Sequence, residues 1–220
     1  MDPNTPNFDS IARAYRWMEY LSFGPMLERC RFRFLSECSR ARYALVLGDG
    51  DGRFTARLLS ENPDIHVDAI DASAAMLAAL RQRAQSCCPD SDSRLNTIQA
   101  DARDFAPSGK IYDMVVSHFF LDCLTNDDVF DLIERLRPLL AEDAEWLVSE
   151  FLIPQKGWRR PAARMLVRSL YSAFSVLTRL RIQRIPDYAP IFRARGFFRS
   201  ENAEYLGGLL VTEVWKREKS

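Results

Sequence analysis

Three points in the sequence pair residue type with spacing that could do chemistry: Gly48-Asp49-Gly50-Asp51-Gly52-Arg53, Asp71 and Asp101. Alternate glycines let a backbone turn sharply and approach a ligand closely, and a helix beginning there offers unpaired N–H groups. The spacing bears on the ligand. A dinucleotide-binding turn prefers G-x-G-x-x-G; here the third glycine comes one residue early, and Arg53 stands where it would be. Two aspartates in the turn would repel a pyrophosphate and suit a cationic ligand. A plain tight turn is the alternative reading. Asp71 could accept from both hydroxyls of a ribose, or could instead cap the helix that starts near Ser73. Asp101 could accept from an adenine amino group, or be a solvated loop carboxylate. A further candidate is His118, whose ordinary pKa suits a general base. A hydrogen-bonded histidine in the pocket wall is its bland alternative, and His66 is assigned no role.

Strands and helices in alternation must carry these groups. Apolar runs at 43–47, 65–70, 95–100, 112–117 and 144–149 end at the glycine turn, Asp71, Asp101, His118 and Glu150. Helical periodicity fills 52–61, 73–86 and 126–140, with start signals at Asp71-Ala72-Ser73 and Thr125-Asn126-Asp127-Asp128. That order predicts a parallel sheet covered on both faces, with ligands held beyond the carboxyl ends of the strands. The rhythm then breaks. Pro154 to Pro161 reads as a loop, 162–183 as one long helix, and 197–204 with 209–216 as a closing antiparallel hairpin.

Composition bounds the function. The chain has 220 residues, 47% hydrophobic and 27% charged, which fits one α/β domain. We divide it into a helical cap (1–40), a core (41–153), a basic helical insertion (154–190) and a hairpin (191–220). No apolar run is long enough to span a bilayer, and Met1 to Asn7 shows no secretory pattern, so a cytoplasmic protein is expected. Five cysteines, never spaced C-x-x-C, argue against a disulfide framework and a zinc site. No metal is expected. The net charge of zero conceals a split: residues 1–150 hold 16 Lys/Arg against 25 Asp/Glu, and residues 151–220 hold 14 against 5. From Lys156 to Arg199 there are eleven Lys/Arg and one acid, Asp187. That stretch reads as a solvated basic face, as an attractor of an anionic substrate or partner, or as a weak membrane-surface contact. Nucleic acid is disfavoured, since aromatics do not interleave with the charges.

The segment 43–151 resembles class I S-adenosylmethionine-dependent methyltransferases. Leu45-Val46-Leu47-Gly48-Asp49-Gly50-Asp51-Gly52-Arg53 is similar to their first motif. Asp68-Ala69-Ile70-Asp71-Ala72-Ser73-Ala74-Ala75-Met76-Leu77 resembles the ribose motif, and Gln99-Ala100-Asp101-Ala102 the adenine motif. Phe8 to Tyr15 looks like the N-terminal cap of quinone-biosynthesis members. The resemblance implies a Rossmann-like α/β fold: a seven-stranded, mostly parallel sheet with an antiparallel C-terminal hairpin, a helical N-terminal cap and a helical cover before the hairpin. It implies S-adenosylmethionine as cofactor, held by Gly48, Asp49, Gly50, Gly52, Asp71, Ala72, Met76, Asp101, Ala102, Ser117 and Tyr15. The family usually has an acid two residues before the first glycine; this chain has Val46, and Asp49 is expected to take its place.

The implied activity is methyl transfer to oxygen, nitrogen or carbon of a small acceptor, aromatic or lipophilic, with His118 as base. Tyr15, Tyr20, Asp122 and Glu150 could line the acceptor pocket, and Phe119-Phe120 could wall it. Strand four ends Ser117-His118-Phe119-Phe120, unlike members that methylate base or glutamine amino groups. Two rival functions stay open: a non-catalytic S-adenosylmethionine-binding protein, and a nicotinamide-dependent oxidoreductase.

Overall fold

A computed structural model describes residues 25–105, 109–152 and 186–218. Tyr15, Tyr20 and the expected long helix at 162–183 lie outside the described residues. Helix α1 (Pro25–Phe32) and a 3₁₀ turn (Leu35–Arg40) lead into strand β1 (Tyr43–Leu47). Then follow α2 (Arg53–Glu61), β2 (His66–Asp71), α3 (Ala74–Cys87), α4 (Ser91–Arg94) and β3 (Leu95–Gln99). The second half runs β4 (Tyr112–His118), a 3₁₀ turn (Leu121–Cys123), α5 (Asn126–Leu136) and β5 (Leu140–Phe151). After the undescribed stretch come α6 (Tyr188–Ala194), β6 (Phe197–Tyr205) and β7 (Leu210–Arg217).

Among the described residues, seven strands form one sheet in the order β3-β2-β1-β4-β5-β7-β6. Strands β1 to β5 are parallel; β7 runs antiparallel to β5 and pairs with β6 across a register shift between Arg199 and Glu201. The chain builds outward from β1 to β3, then crosses back to place β4 on the other side of β1. Loops leaving β1 and β4 therefore diverge, opening a crevice at their carboxyl ends.

Strands covered on both faces need apolar residues on both, and β1 and β4 supply them. Leu45, Leu47, Val115, Trp146 and Val148 pack with Val129, Leu132 and Ile133 of α5 and Phe192 of α6. Ala44, Val46, Val67, Met114 and Val116 face the other way, onto Phe54 and Leu58 of α2 and Leu80 and Ala84 of α3. Helix starts follow the sequence signals. The Ser73 hydroxyl accepts from Met76 N, and Thr125 with Asp128 makes a reciprocal capping box.

Two boundaries differ from the sequence reading. Helix α5 stops at Leu136, not 140, because Pro138 lacks the N–H that another α turn requires; Arg137–Leu139 tightens to 3₁₀. Strand β5 starts at Leu140, four residues before the expected 144. Helix α6 also straddles the expected 190/191 boundary between insertion and hairpin.

Candidate functional site

The glycine turn sits at the carboxyl end of β1, and each glycine has positive φ: 62° at Gly48, 62° at Gly50 and 77° at Gly52. Their surroundings differ. A Cβ on Gly52 would come within 2.7 Å of the Leu80 backbone, so this residue lets α2 and α3 pack closely. At Gly50 the nearest atom to such a Cβ would be Met76 Sδ, 3.9 Å away, which leaves the backbone open to a ligand. At Gly48 the Phe120 ring lies directly against the backbone, 2.4 Å from where a Cβ would stand.

Both turn aspartates are engaged by the protein. Asp49 accepts from Thr55 N at 2.8 Å and Phe54 N at 3.4 Å, closing the first turn of α2. It braces the loop; Val46, two residues before the first glycine, is buried in the core. Asp51 turns outward to Arg83 at 2.8 Å and Arg53 at 3.4 Å. The surface the turn presents is therefore mostly backbone.

Asp71 ends β2, half-buried, with Oδ1 accepting from Ser73 N at 2.8 Å. Ser73 is the residue that caps α3, so Asp71 is not required for that purpose. The short bond to Ser73 N instead fixes how the carboxylate leaves the strand. Ala72 is exposed beside it, and its carbonyl takes a bond from Gln99 of the neighbouring strand. One strand further out, Asp101 is held by the Arg103 backbone N at 2.9 Å and by its guanidinium. The Arg103 bonds, against some cost of burial, keep the Asp101 carboxyl below its ordinary pKa. Ala102 is buried, and its carbonyl accepts from Arg135 at 2.9 Å. Gly48, Gly50, Asp71, Ala72, Met76, Asp101 and Ala102 thus follow one another along the carboxyl edge of β1, β2 and β3.

Ser117 and His118 point elsewhere. The Ser117 side chain is wholly buried and accepts from the Trp146 indole N–H at 2.9 Å, inside the core. His118 is 4% exposed, on the sheet face of Val116, with its ring edge-on to Phe54 at 4.6 Å. Neither ring nitrogen has a hydrogen-bond partner among the described residues. Burial, and secondarily the charge of Arg31, push its pKa down to about 3. The imidazole is therefore a neutral packing element at neutral pH.

Past β4 the chain makes an unusual bend. Phe119 has φ of 54°, and it sends the two neighbouring rings to different places. Phe119 is buried against Phe151, with the Arg31 guanidinium 5.3 Å from its ring centroid. Phe120 is half-buried over Gly48. Glu150, from the end of β5, holds this bend: its Oε1 accepts from Phe120 N at 3.1 Å and Leu121 N at 2.7 Å. Glu150 is 1% exposed and Oε2 has no hydrogen-bond partner among the described residues. Burial and the nearby Asp122 charge raise its pKa well above the carboxylate range. Arg31, 8% exposed on the short helix α1, is a buried cation beside this region that sequence reading passed over. Its only signal was its place between Cys30 and Phe32 within the expected helical cap.

Comparison with known proteins agrees with the fold. A family described as "Methyltransferase domain" matches residues 45–145. No curated protein matches the chain significantly. A candidate O-methyltransferase of Nostoc punctiforme superposes with a TM-score of 0.70 at 18% identity, covering 97% of this chain and 62% of that one. Mitomycin 7-O-methyltransferase MmcR gives 0.68 at 17%, covering 98% and 61%. N-methyltransferase NodS of Bradyrhizobium japonicum, solved with S-adenosyl-L-homocysteine, gives 0.59 at 14%, covering 87% of each chain. The chain thus spans about three fifths of the length of the first two. Over residues 45–145 the chain is thus similar to the methyltransferase-domain family, and its fold is that of these methyltransferase structures.

Proposed function

We propose that the protein binds S-adenosylmethionine and transfers its methyl group to oxygen, nitrogen or carbon of a small molecule. The observation that carries this reading is the run of ligand-ready groups along three adjacent strand ends. In this reading the backbone open at Gly50 takes the amino-acid tail, Asp71 accepts from the ribose, and Asp101 with Ala102 borders the adenine. Met76 closes the side next to Gly50. The cofactor brings its own leaving group and positive charge, so the protein's task is largely to orient and exclude water. Ser117 contributes through the core that fixes β4, not through a polar contact. Tyr15 is proposed as a further cofactor contact from the sequence resemblance alone.

We assign no proton transfer to His118. A base with a pKa of about 3, shielded by Phe54, is poorly matched to an acceptor hydroxyl or amine at neutral pH. Acceptors ionised in solution, or carrying a free lone pair, need none. This same shielding favours a second reading, a cofactor-binding protein without transfer activity. The partner we propose is a small-molecule acceptor rather than nucleic acid. Among the described residues no helix is long and apolar enough to cross a membrane.

Calorimetry with S-adenosylhomocysteine, S-adenosylmethionine and NAD tests the reading. Heat with both adenosyl ligands and none with NAD is expected; NAD binding alone would overturn it. Label transfer from methyl-labelled cofactor to any component of a small-molecule extract separates the enzyme from the silent binder.

A further inference from the structure

We propose that Phe120 is the side chain that distinguishes the charged methyl donor from its uncharged product, by offering its ring to the sulfonium. This deepens the proposed function and rests on the cofactor reading above. The geometry begins at Gly48, the first residue past β1 and the one beside the diverging β4 loop. The ring of Phe120 lies on its backbone: Cδ2, Cε2 and Cγ are 2.4, 3.1 and 3.2 Å from where a Cβ would stand. No side chain larger than hydrogen fits between them. In the cofactor reading, an amino-acid tail held by the glycine turn would bring its neighbouring sulfur toward this ring.

Three further observations make the ring a fixed feature of the crevice. The positive φ of Phe119 turns successive side chains apart, so Phe119 enters the core and Phe120 does not. Glu150 clamps the Phe120 N–H at 3.1 Å and the next N–H at 2.7 Å, which holds the ring's backbone in place. Phe120 remains half-buried, one side against the core cluster and the other toward the glycine turn.

The chemistry favours an aromatic group here. Cations are attracted to ring faces, the more so where water is excluded. A carboxylate against the sulfonium would hold the positive charge more tightly, but transfer disperses that charge, so such stabilisation of the bound state would raise the barrier. Of the two carboxyl groups nearest the bend, Glu150 has its pKa pushed well above the carboxylate range by burial and the Asp122 charge, and its Oε1 is taken by the backbone of the bend. After transfer the sulfur is neutral, the attraction ends, and the product leaves more readily.

The test compares ligands of nearly the same shape. Dissociation constants for S-adenosylmethionine, S-adenosylhomocysteine and the cationic amine analogue sinefungin are measured by calorimetry on the wild type, Phe120→Leu and Phe120→Tyr. Circular dichroism and melting temperature confirm that each variant is folded. In Phe120→Leu we expect both cationic ligands to weaken roughly 3- to 30-fold relative to S-adenosylhomocysteine. Phe120→Tyr should restore the wild-type ratio. Equal weakening of all three ligands would show a merely steric role and overturn the proposal, as would no change in any. Absence of binding to the wild type would instead overturn the cofactor reading on which it rests.

Discussion

Lowering the pH should destabilise this protein through one side chain, and replacing that side chain should remove the effect. His118 is buried, neither ring nitrogen has a partner among the described residues, and its folded pKa of about 3 lies well below the ordinary 6.5. The unfolded chain therefore binds a proton that the native state refuses throughout the interval from 6.5 down to 3. Stability is unaffected above that window, falls as pH drops below 6.5, and stops falling near 3. Linkage for one such group gives a loss of about 2 kcal/mol between pH 7.5 and pH 5, and about 5 kcal/mol over the full interval. Glu150 works in the opposite direction, since a carboxyl held protonated in the native state gains stability as pH falls. Total pH dependence therefore mixes both, and the difference between two proteins isolates the histidine. Urea unfolding of wild type and His118→Leu at the two pH values supplies that difference. The variant's stability should fall between pH 7.5 and pH 5 by about 2 kcal/mol less than the wild type's. Parallel losses in the two proteins would refute the buried, unpaired placement of the ring.

Three other perturbations test neighbouring parts of the site. Asp71→Ala should weaken S-adenosylhomocysteine binding by about 3 kcal/mol or more, since two hydrogen bonds to a charged acceptor are lost; calorimetry showing unchanged affinity would place the ribose elsewhere. Gly52→Ala should cost about 2–4 kcal/mol in urea unfolding, combining the strain of φ at 77° with a Cβ pressed on the Leu80 backbone. A cost under half a kcal/mol would mean that α2 and α3 can separate easily. Asp49→Ala should lose about 1–2 kcal/mol by removing the acceptor for Phe54 N and Thr55 N. If cofactor affinity falls in that variant while stability holds, Asp49 meets the ligand and not the helix.

Much of the architecture was readable because its signals are local. Strand β1 ends where the glycines begin, and the caps at Ser73 and Thr125 are side-chain preferences that act within a turn. The error at 137–140 came from reading apolar periodicity through Pro138, where the missing N–H overrides the pattern. Helix α6 was missed because Tyr188 to Ala194 is short and contains Pro190, which helical patterning penalises although it is tolerated in a first turn. The orientation of His118 was not legible for a different reason. Strand β4 is apolar on both faces, so its period of two says which residues share a side but not which side meets the crevice. The consequence for function is large: sequence position put His118 at the correct strand end, and the pleat turned it into the core beside Phe54. The roles of Phe119 and Phe120 were likewise inseparable by type, since a single positive φ between neighbours divides them. Asp49 and Asp51 read as charge for a ligand, whereas Asp49 is taken up by the first turn of α2 and Asp51 by Arg53 and the distant Arg83.

The outer margin of the hairpin has a bearing on how copies of this molecule meet one another. An unpaired strand edge invites a second chain to add its own strand, the first step toward stacked aggregates. Among the described residues strand β6 occupies that margin, yet its ladder with β7 slips between Arg199 and Glu201, and the intervening Ser200 hydroxyl bonds to the Val214 carbonyl. The resulting kink and the ionic groups of Arg199, Glu201 and Glu204 spoil the straight, uncharged template that an incoming strand would need. Even with the Phe198 ring 44% exposed there, high concentration should bring the molecules together by some route other than extension of the sheet along β6.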